Sequence, residues 1–180
     1  MLVCRAMATT TKPAVLIDQD ELLARIHALA QEIRADYPGG QLHFVCVLKG
    51  AFLFLGDLIR ATDGQVSIDF MACSSYGAAT SSSGEVRVTK DLDASIEGRD
   101  VVIIEDIVDT GLTLHYLQEI LLARGPRSLR TACLLSKPSR RKIDVKVDYI
   151  GFTIEDKFVV GYGLDYAEQY RNLPYIGVLE

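Results

Sequence analysis

Residues 101–113 have the sequence VVIIEDIVDTGLT, and the rest of the chain can be arranged around this stretch. Four β-branched apolar residues open it, which predicts a strand buried on both faces. The charged residues Glu105 and Asp106 follow at once, and we place the end of the strand there. From Thr113 to Gly125 the apolar residues recur at helical spacing. The stretch therefore predicts a strand, a loop and the beginning of a helix.

The loop of Asp109, Thr110 and Gly111 suits the binding of an anion. In an open parallel sheet, ligands bind beyond the carboxyl ends of the strands, and a helix N-terminus offers unpaired N–H groups. We therefore predict a phosphate cradle with carboxylates beside it. Two alternatives stay open: Asp109 or Thr110 could be only an N-cap, and Glu105 and Asp106 could be solvated residues at a strand end. The aspartyl nucleophile loop of phosphatases does not fit, because two residues separate Asp106 from Asp109 instead of one.

Length and composition fit one globular domain. The chain has 180 residues, of which 49% are hydrophobic and 24% charged, and we expect residues 13–180 to form the domain and residues 1–12 a loose tail. A formal net charge of −5 argues against a broad face for nucleic acid or membrane. No apolar run approaches the ~20 residues of a membrane span. Four scattered cysteines without a C-x-x-C pair predict reduced thiols and a cytoplasmic location.

The rest of the chain alternates between patterns typical of helices and of strands. The helix patterns lie at residues 18–33 and 51–60, and the strand patterns at residues 43–48, 66–75, 86–89, 128–135 and 147–152. Asp18 and Glu21 have the spacing of a capping box, which marks the beginning of the first helix. Together with the strand at residue 101, these patterns predict an α/β protein.

Lysines follow two of the predicted strands. Lys49, next to Gly50, lies between a buried strand and a buried helix, where its charge could reach an anionic group of a ligand. Lys137 follows the strand at residues 128–135 and could donate a hydrogen bond to a carbonyl oxygen on a flat base. Taken alone, Lys49 could also be an ordinary surface lysine. The basic residues 140–142 suit a solvated turn.

The sequence resembles a known family in the block EDIVDTGLT, residues 105–113, which follows a hydrophobic strand. This block is similar to the phosphoribosyl-pyrophosphate signature of the type I phosphoribosyltransferases, and its EDI and DTG elements are similar to those of the hypoxanthine-guanine branch. The resemblance runs from about residue 17 to the C-terminus. It implies the type I phosphoribosyltransferase fold: a mostly parallel central sheet flanked by helices, a small hood and a flexible lid loop.

The resemblance implies roles for individual residues, both within the signature and outside it. Ribose and its 5-phosphate would be held by Glu105, Asp106, Asp109, Thr110, Gly111, Leu112 and Thr113. Asp109 would move the proton at N7 of the base. Pyrophosphate would contact Lys49, Gly50 and Arg171, with a cis peptide between Leu48 and Lys49. Leu112 departs from relatives that carry lysine there, and Ala51 departs from relatives with a second glycine.

The resemblance also implies a base site, a lid and a metal. The base would be bound by Lys137, Phe158, Val159 and Asp165. Ser75 and Tyr76 would begin the lid, although residues 81–84 alone suit a flexible hairpin tip. Mg²⁺ would be the cofactor, near Glu105, Asp106 and Asp165.

The implied activity is purine salvage. The partners would be phosphoribosyl pyrophosphate and a 6-oxopurine, the products IMP or GMP and pyrophosphate, and the assembly a homodimer or homotetramer, with no nucleic acid or membrane partner. Three alternatives stay open: a xanthine-preferring transferase, a pyrimidine-using transferase, and a non-catalytic regulator that binds a nucleotide or RNA on the same fold.

Overall fold

The structure is a computed structural model that describes residues 12–75 and 86–179. In chain order, its elements are β1 Ala14–Ile17, α1 Gln19–Asp36, β2 Leu42–Leu48, α2 Phe52–Ala61, β3 Val66–Ser75, β4 Val86–Lys90, β5 Asp100–Val108, α3 Leu112–Leu122, β6 Ser128–Ser136, a 3₁₀ turn Pro138–Arg140, β7 Tyr149–Thr153, β8 Val159–Val160 and β9 Ile176–Val178. Most of the predicted tail and the lid from Tyr76 to residue 85 lie outside the described residues.

Two sheets organise these elements. The central sheet has six strands in the order β4-β3-β2-β5-β6-β7. Its pairs from β3 to β7 are parallel, and β4 joins the edge in the antiparallel direction. Strands β1, β9 and β8 form a separate three-stranded antiparallel sheet, which is the predicted hood. The predicted fold class is therefore confirmed.

Apolar strands at the centre of the sheet are covered on both faces. In β2, Phe44 and Cys46 pack into the cluster that contains α1 and α2. The alternate residues Val45 and Val47 pack into the cluster that contains α3. This two-sided burial explains why the central strands are almost continuously hydrophobic. The parallel pairing of β2 with β5 and of β5 with β6 brings the carboxyl ends of these three strands to one edge of the sheet.

Helix α1 begins after Asp18, as predicted, with one of the two hydrogen bonds of a capping box. The side chain of Asp18 accepts a hydrogen bond of 2.9 Å from the N–H of Glu21. Further along α1, Arg25 donates to the carbonyl oxygens of Ile150 and Gly151 at 2.7 and 3.0 Å. Helix α1 therefore supports the last strand of the central sheet. None of the described helices is long and apolar enough to cross a membrane.

Two strand boundaries differ from the sequence prediction by more than one residue. Strand β5 does not end before Glu105 but continues to Val108, because its parallel ladder with β6 extends that far and satisfies the backbone. Strand β7 begins at Tyr149, two residues later than predicted. The carboxylate of Asp148 accepts the N–H of Thr131 at 2.9 Å and so takes the place of a ladder bond.

Candidate active site

The loop between β5 and α3 presents an uncapped helix N-terminus. Gly111 is the N-cap residue, in the left-handed conformation with a φ of +86°, and no side chain caps the helix. The Leu112 N–H lies 3.4 Å from the Thr110 hydroxyl, which is a long hydrogen bond. The first turn of α3 contains no acidic residue, whereas that of α1 contains two. The alternative in which Asp109 or Thr110 is only a cap is therefore wrong, and the N–H groups and the helix dipole of α3 are available to an anion.

A small cavity lies at this helix N-terminus. Its volume is about 90 Å³, and it is lined by Glu105, Ile107, Val108, Asp109, Thr110, Gly111, Thr113 and Leu114. This is more than the roughly 10–15 Å³ that one water molecule needs, so the cavity admits a group of several heavy atoms. The predicted phosphate loop therefore surrounds a space that can hold a phosphoryl group.

The segment after β6 packs against the phosphate loop. A Cβ built on Gly111 would lie 2.9 Å from Cγ1 of Val145 and 3.1 Å from Cγ2 of Ile143. Arg141 donates to the backbone carbonyls of Val108 and Asp109. The prediction that residues 140–142 form a solvated turn is therefore wrong for Arg141, because its guanidinium is bound to two backbone carbonyl groups of the loop.

Glu105 and Asp106 point to different parts of the site. Glu105 is 7% exposed and lines the phosphate-loop cavity, where its Oε2 has no hydrogen-bond partner among the described residues. Asp106 instead lies against Gly50. Burial raises the pKa of both carboxyls, that of Asp106 to about 6, and the charge of Asp106 raises the pKa of Glu105 further. The alternative of two solvated carboxylates is therefore wrong for Glu105.

Two glycines let the loop after β2, the end of β5 and the loop after β8 pack closely against one another. A Cβ on Gly50 would lie 1.4 Å from Oδ2 of Asp106, and a Cβ on Gly163 would lie 2.1 Å from the carbonyl oxygen of Gly50. Gly163 has a φ of +97°, which a side chain would strain. The peptide bond between Leu48 and Lys49 is cis. The β2–α2 loop, the end of β5 and the loop after β8 thus form one continuous surface.

Two cations lie on that surface. Arg171 donates to the carbonyl oxygen of Gly163 at 2.8 Å, and its Nη2 lies 2.7 Å from Oδ1 of Asp165. The ammonium of Lys49 lies 3.2 Å from Oε1 of Glu168. Lys49 and Arg171 are 119 and 3 residues from Glu168 in sequence, and this one carboxylate contacts both. The structure thus brings together the predicted pyrophosphate residues.

The predicted base residues lie on the neighbouring side of the site. Lys137 is 7% exposed, and its ammonium donates a hydrogen bond of 2.6 Å to the carbonyl oxygen of Lys157. Phe158 is 54% exposed and meets Tyr166 edge to face at a centroid distance of 5.6 Å. Val159 is buried in β8. An exposed aromatic ring beside a fixed ammonium group suits a flat ligand with a carbonyl oxygen.

Asp109 has a cationic neighbour. Nε of Arg140 lies 3.0 Å from Oδ1 of Asp109, and Nη1 of Arg140 lies 3.5 Å from Asp156. The guanidinium therefore orients the Asp109 carboxylate, which is about two-fifths exposed and open to a ligand. Arg140 was predicted as a solvated residue; it is exposed but ion-paired.

Oxygen donors at the site fit Mg²⁺ in part. Among residues 12–75 and 86–179, no three His, Cys, Asp or Glu side chains form a metal-binding group. Asp165 and Asp106 are nevertheless close enough for the charge of Asp165 to raise the pKa of Asp106, and Glu105 carries the unpartnered Oε2. Mg²⁺ commonly keeps several waters and takes one or two carboxylates plus substrate oxygens. The donor set therefore fits a hydrated Mg²⁺ and not an all-protein cage.

The predicted lid begins at the boundary of the described residues. Tyr76 lies outside the described residues, and the side chain of Ser75 does too. Sequence reasoning missed the contacts of Arg140, Arg141 and Glu168, because charged residues in polar loops carry no pattern that distinguishes them from solvated ones. Tyr166 was also missed, although an aromatic residue directly after Asp165 was an available signal.

Comparisons with known proteins agree with this geometry. The family model for the phosphoribosyl transferase domain matches residues 16–167. A hypoxanthine-guanine phosphoribosyltransferase of Bacillus subtilis is 53% identical over 166 residues, which cover 92% of each chain. One of Streptococcus thermophilus is 47% identical over the same shares of each chain. A crystal structure of a hypoxanthine-guanine phosphoribosyltransferase from Bacillus anthracis matches with a TM-score of 0.89 and 44% identity, over 92% of this chain and 98% of that one.

Sequence similarity of this extent, the shared fold and the phosphate loop lead to one assignment: the chain belongs to the phosphoribosyltransferase family, in its hypoxanthine-guanine branch.

Proposed function

We propose that the chain transfers the 5-phosphoribosyl group from phosphoribosyl pyrophosphate to hypoxanthine and to guanine, with Mg²⁺, giving IMP or GMP and pyrophosphate. The observation that carries the proposal is the convergence at one sheet edge of the phosphate loop, the surface of Gly50 and Asp106, and the base-side pair of Lys137 and Phe158. The names of the relatives point to the same bases.

The phosphate loop anchors the sugar. The N–H groups at the beginning of α3, the hydroxyls of Thr110 and Thr113 and the helix dipole bind the 5-phosphate. Glu105 and Asp106 accept hydrogen bonds from the ribose hydroxyls. Their charge favours the positive charge that develops on the ribose ring as its bond to pyrophosphate breaks.

Asp109 acts on the base. Its carboxylate is partly exposed at the edge of the phosphate loop and is held by Arg140 at 3.0 Å. In this position it takes the proton from N7 as the base attacks C1 of the ribose. General acid–base help of this kind contributes about 10²- to 10⁴-fold to a rate.

Lys49 and Arg171 bind the leaving pyrophosphate, and Gly50 lets the backbone approach it. Asp165, with Asp106 and Glu105, would hold Mg²⁺ through oxygen atoms and bound water. Bound Mg²⁺ neutralises charge on the pyrophosphate and so makes it a better leaving group. On the other side of the ribose, Lys137 donates to the 6-oxo group.

Base-side side chains bind the purine ring. Phe158 stacks on the ring, and the backbone of Val159 and of Asp165 meets its edge. The Lys137 ammonium is already directed by the carbonyl of Lys157, so it needs little reorganisation to reach a carbonyl oxygen. A 6-amino group offers donors where Lys137 requires an acceptor. Adenine is therefore expected to be a poor substrate.

The proposal is tested by identifying the products. The purified protein is incubated with phosphoribosyl pyrophosphate, hypoxanthine and MgCl₂, and IMP and pyrophosphate are separated by chromatography. We expect equal amounts of both, and none after chelation of the metal. Asp109→Asn should lower kcat by about 10²-fold or more, whereas Asp63→Asn, an exposed change in the α2–β3 loop, should not. Absence of IMP from the wild-type reaction would refute the proposed function.

A further inference from the structure

Glu168 contacts both cations that the proposed function assigns to pyrophosphate. Its carboxylate oxygens lie 3.2 and 3.3 Å from the ammonium nitrogen of Lys49. Its Oε2 lies 3.5 Å from Nη2 of Arg171. The two positive side chains therefore already face a carboxylate that belongs to the chain itself.

Charges at this point are balanced without a ligand. Arg171 also pairs with Asp165 at 2.7 Å, so two cations face two carboxylates. A ligand phosphate repels both carboxylates, and it reaches Lys49 and Arg171 fully only when a carboxylate withdraws. In the proposed function Asp165 also helps to hold Mg²⁺. Glu168 takes no part in holding the metal in that proposal, and its side chain is 67% exposed against 28% for that of Asp165, so Glu168 is the group that withdraws.

The position of Glu168 combines a fixed backbone with a mobile carboxylate. Its N–H donates a 2.8 Å hydrogen bond to Oδ2 of Asp165, and its φ is +61°. The neighbours Ala167 and Tyr170 also have positive φ values, of +50° and +75°. By contrast, the side chains of Lys49 and Glu168 are each 67% exposed, and an ion pair so exposed is weak. The carboxylate is thus held near the cations and can still rotate into water.

We propose that Glu168 sets the affinity of the site for pyrophosphate and for the pyrophosphate end of the substrate by competing for Lys49 and Arg171. The inference rests on the proposed function, which assigns those two cations to the leaving group. Competition weakens the binding of substrate and of product alike, and so limits inhibition by the pyrophosphate that the reaction releases.

The test uses Glu168→Gln, which keeps the shape and the backbone contact but removes the charge. We expect the KM for phosphoribosyl pyrophosphate to fall about two- to fivefold, the range that an exposed ion pair supports. The inhibition constant of pyrophosphate should fall by a similar factor, and the KM for hypoxanthine should stay constant. Because exposed charges are screened by salt, the difference from wild type should shrink at high ionic strength.

A matched control is Glu32→Gln on α1. It also removes one exposed negative charge from an ion pair, that of Glu32 with Arg25, and should leave both constants unchanged. In a Lys49→Gln background, the effect of Glu168→Gln on the KM for phosphoribosyl pyrophosphate should decrease, because one of the two cations that contact Glu168 has been removed. An unchanged or higher KM for phosphoribosyl pyrophosphate in Glu168→Gln would overturn the inference.

Calorimetric titration with pyrophosphate and MgCl₂ separates failure of this inference from failure of the proposed function. Tighter binding to Glu168→Gln than to wild type supports the competition. Equal binding to both overturns it and leaves the proposed function intact. Absence of binding to either protein, together with absence of IMP formation, overturns both.

Discussion

Gly50 lies directly against Asp106: a Cβ on Gly50 would be 1.4 Å from Oδ2 of that carboxylate. These residues come from the ends of β2 and β5, and their contact joins the pyrophosphate loop to the ribose carboxylates. No side chain larger than hydrogen fits between them without moving one of the loops.

Gly50→Ala should therefore damage catalysis more than folding. The added methyl group displaces either the Asp106 carboxylate or the Lys49 loop, and we expect kcat/KM for phosphoribosyl pyrophosphate to fall about tenfold or more, since a misplacement of about 1 Å can cost 10²-fold. Steady-state kinetics measure this. The control is Gly56→Ala in α2, where a Cβ meets nothing within 4 Å. That change should leave kcat/KM intact and stabilise the helix by up to about 1 kcal/mol. Equal activity of the two variants would contradict the role of the contact.

Arg141 should support the phosphate loop although it is outside the signature. Arg141→Met removes the hydrogen bonds to the carbonyl groups of Val108 and Asp109 and the 2.9 Å bond to the Ser136 hydroxyl. Hydrogen bonds to charged groups contribute about 1.5–3 kcal/mol. We expect the free energy of unfolding, from urea titration, to fall by an amount in that range and the KM for phosphoribosyl pyrophosphate to rise. Lys142→Met, at an exposed neighbour, should change neither quantity; an effect as large as that of Arg141→Met would show that only charge matters.

Lys137 should govern the choice of base. Lys137→Met removes the ammonium that the Lys157 carbonyl directs at 2.6 Å, so we expect the KM for hypoxanthine to rise by about one to two orders of magnitude, the effect of losing one charge-assisted hydrogen bond. The KM for phosphoribosyl pyrophosphate should change little. Lys157→Met keeps the backbone carbonyl and serves as the control. The assignment fails if both lysine variants use hypoxanthine equally well.

The free energy of unfolding should decrease at acidic pH, because the carboxylate of Asp100 becomes protonated. The guanidinium of Arg127 and then the Ser128 hydroxyl hydrogen-bond its carboxylate and lower its pKa. A carboxyl whose pKa is lower in the folded state stabilises the protein above its unfolded pKa of about 3.9, and this contribution is lost as the pH falls through the folded pKa. Asp100→Asn should therefore lower the free energy of unfolding by about 1 kcal/mol at neutral pH. The difference should vanish below the folded pKa; a difference that is constant with pH would exclude the ionic contribution.

The sequence predicted the parts of the fold that depend on local patterns. The N-cap Asp18, the buried strand before Glu105 and the parallel sheet follow from hydrophobic spacing and turn residues, and each is found. The continuation of β5 to Val108 was not predictable locally. It depends on pairing with β6, which lies about twenty residues later in the chain.

The same difference between local patterns and distant contacts applies to the residues of the candidate site. Its phosphate loop is contiguous in sequence, so the motif identified it directly. Glu168 contacts Lys49 across 119 residues and Arg141 contacts Val108 across 33 residues. Such contacts between loops depend on the tertiary arrangement, and a charged residue in a polar loop gives no local indication of its partner.

The assignment on which the other roles depend is 6-oxopurine phosphoribosyl transfer at the sheet edge of Lys137 and Asp109. It is tested most directly by spectrophotometric rates with phosphoribosyl pyrophosphate and Mg²⁺ against hypoxanthine, guanine, xanthine, adenine and uracil in parallel. We expect rapid conversion of hypoxanthine and guanine, and conversion of adenine and uracil slower by about two orders of magnitude or more, because a buried polar group is then left unpaired. Efficient use of adenine, or no product with any of the five bases, would contradict it.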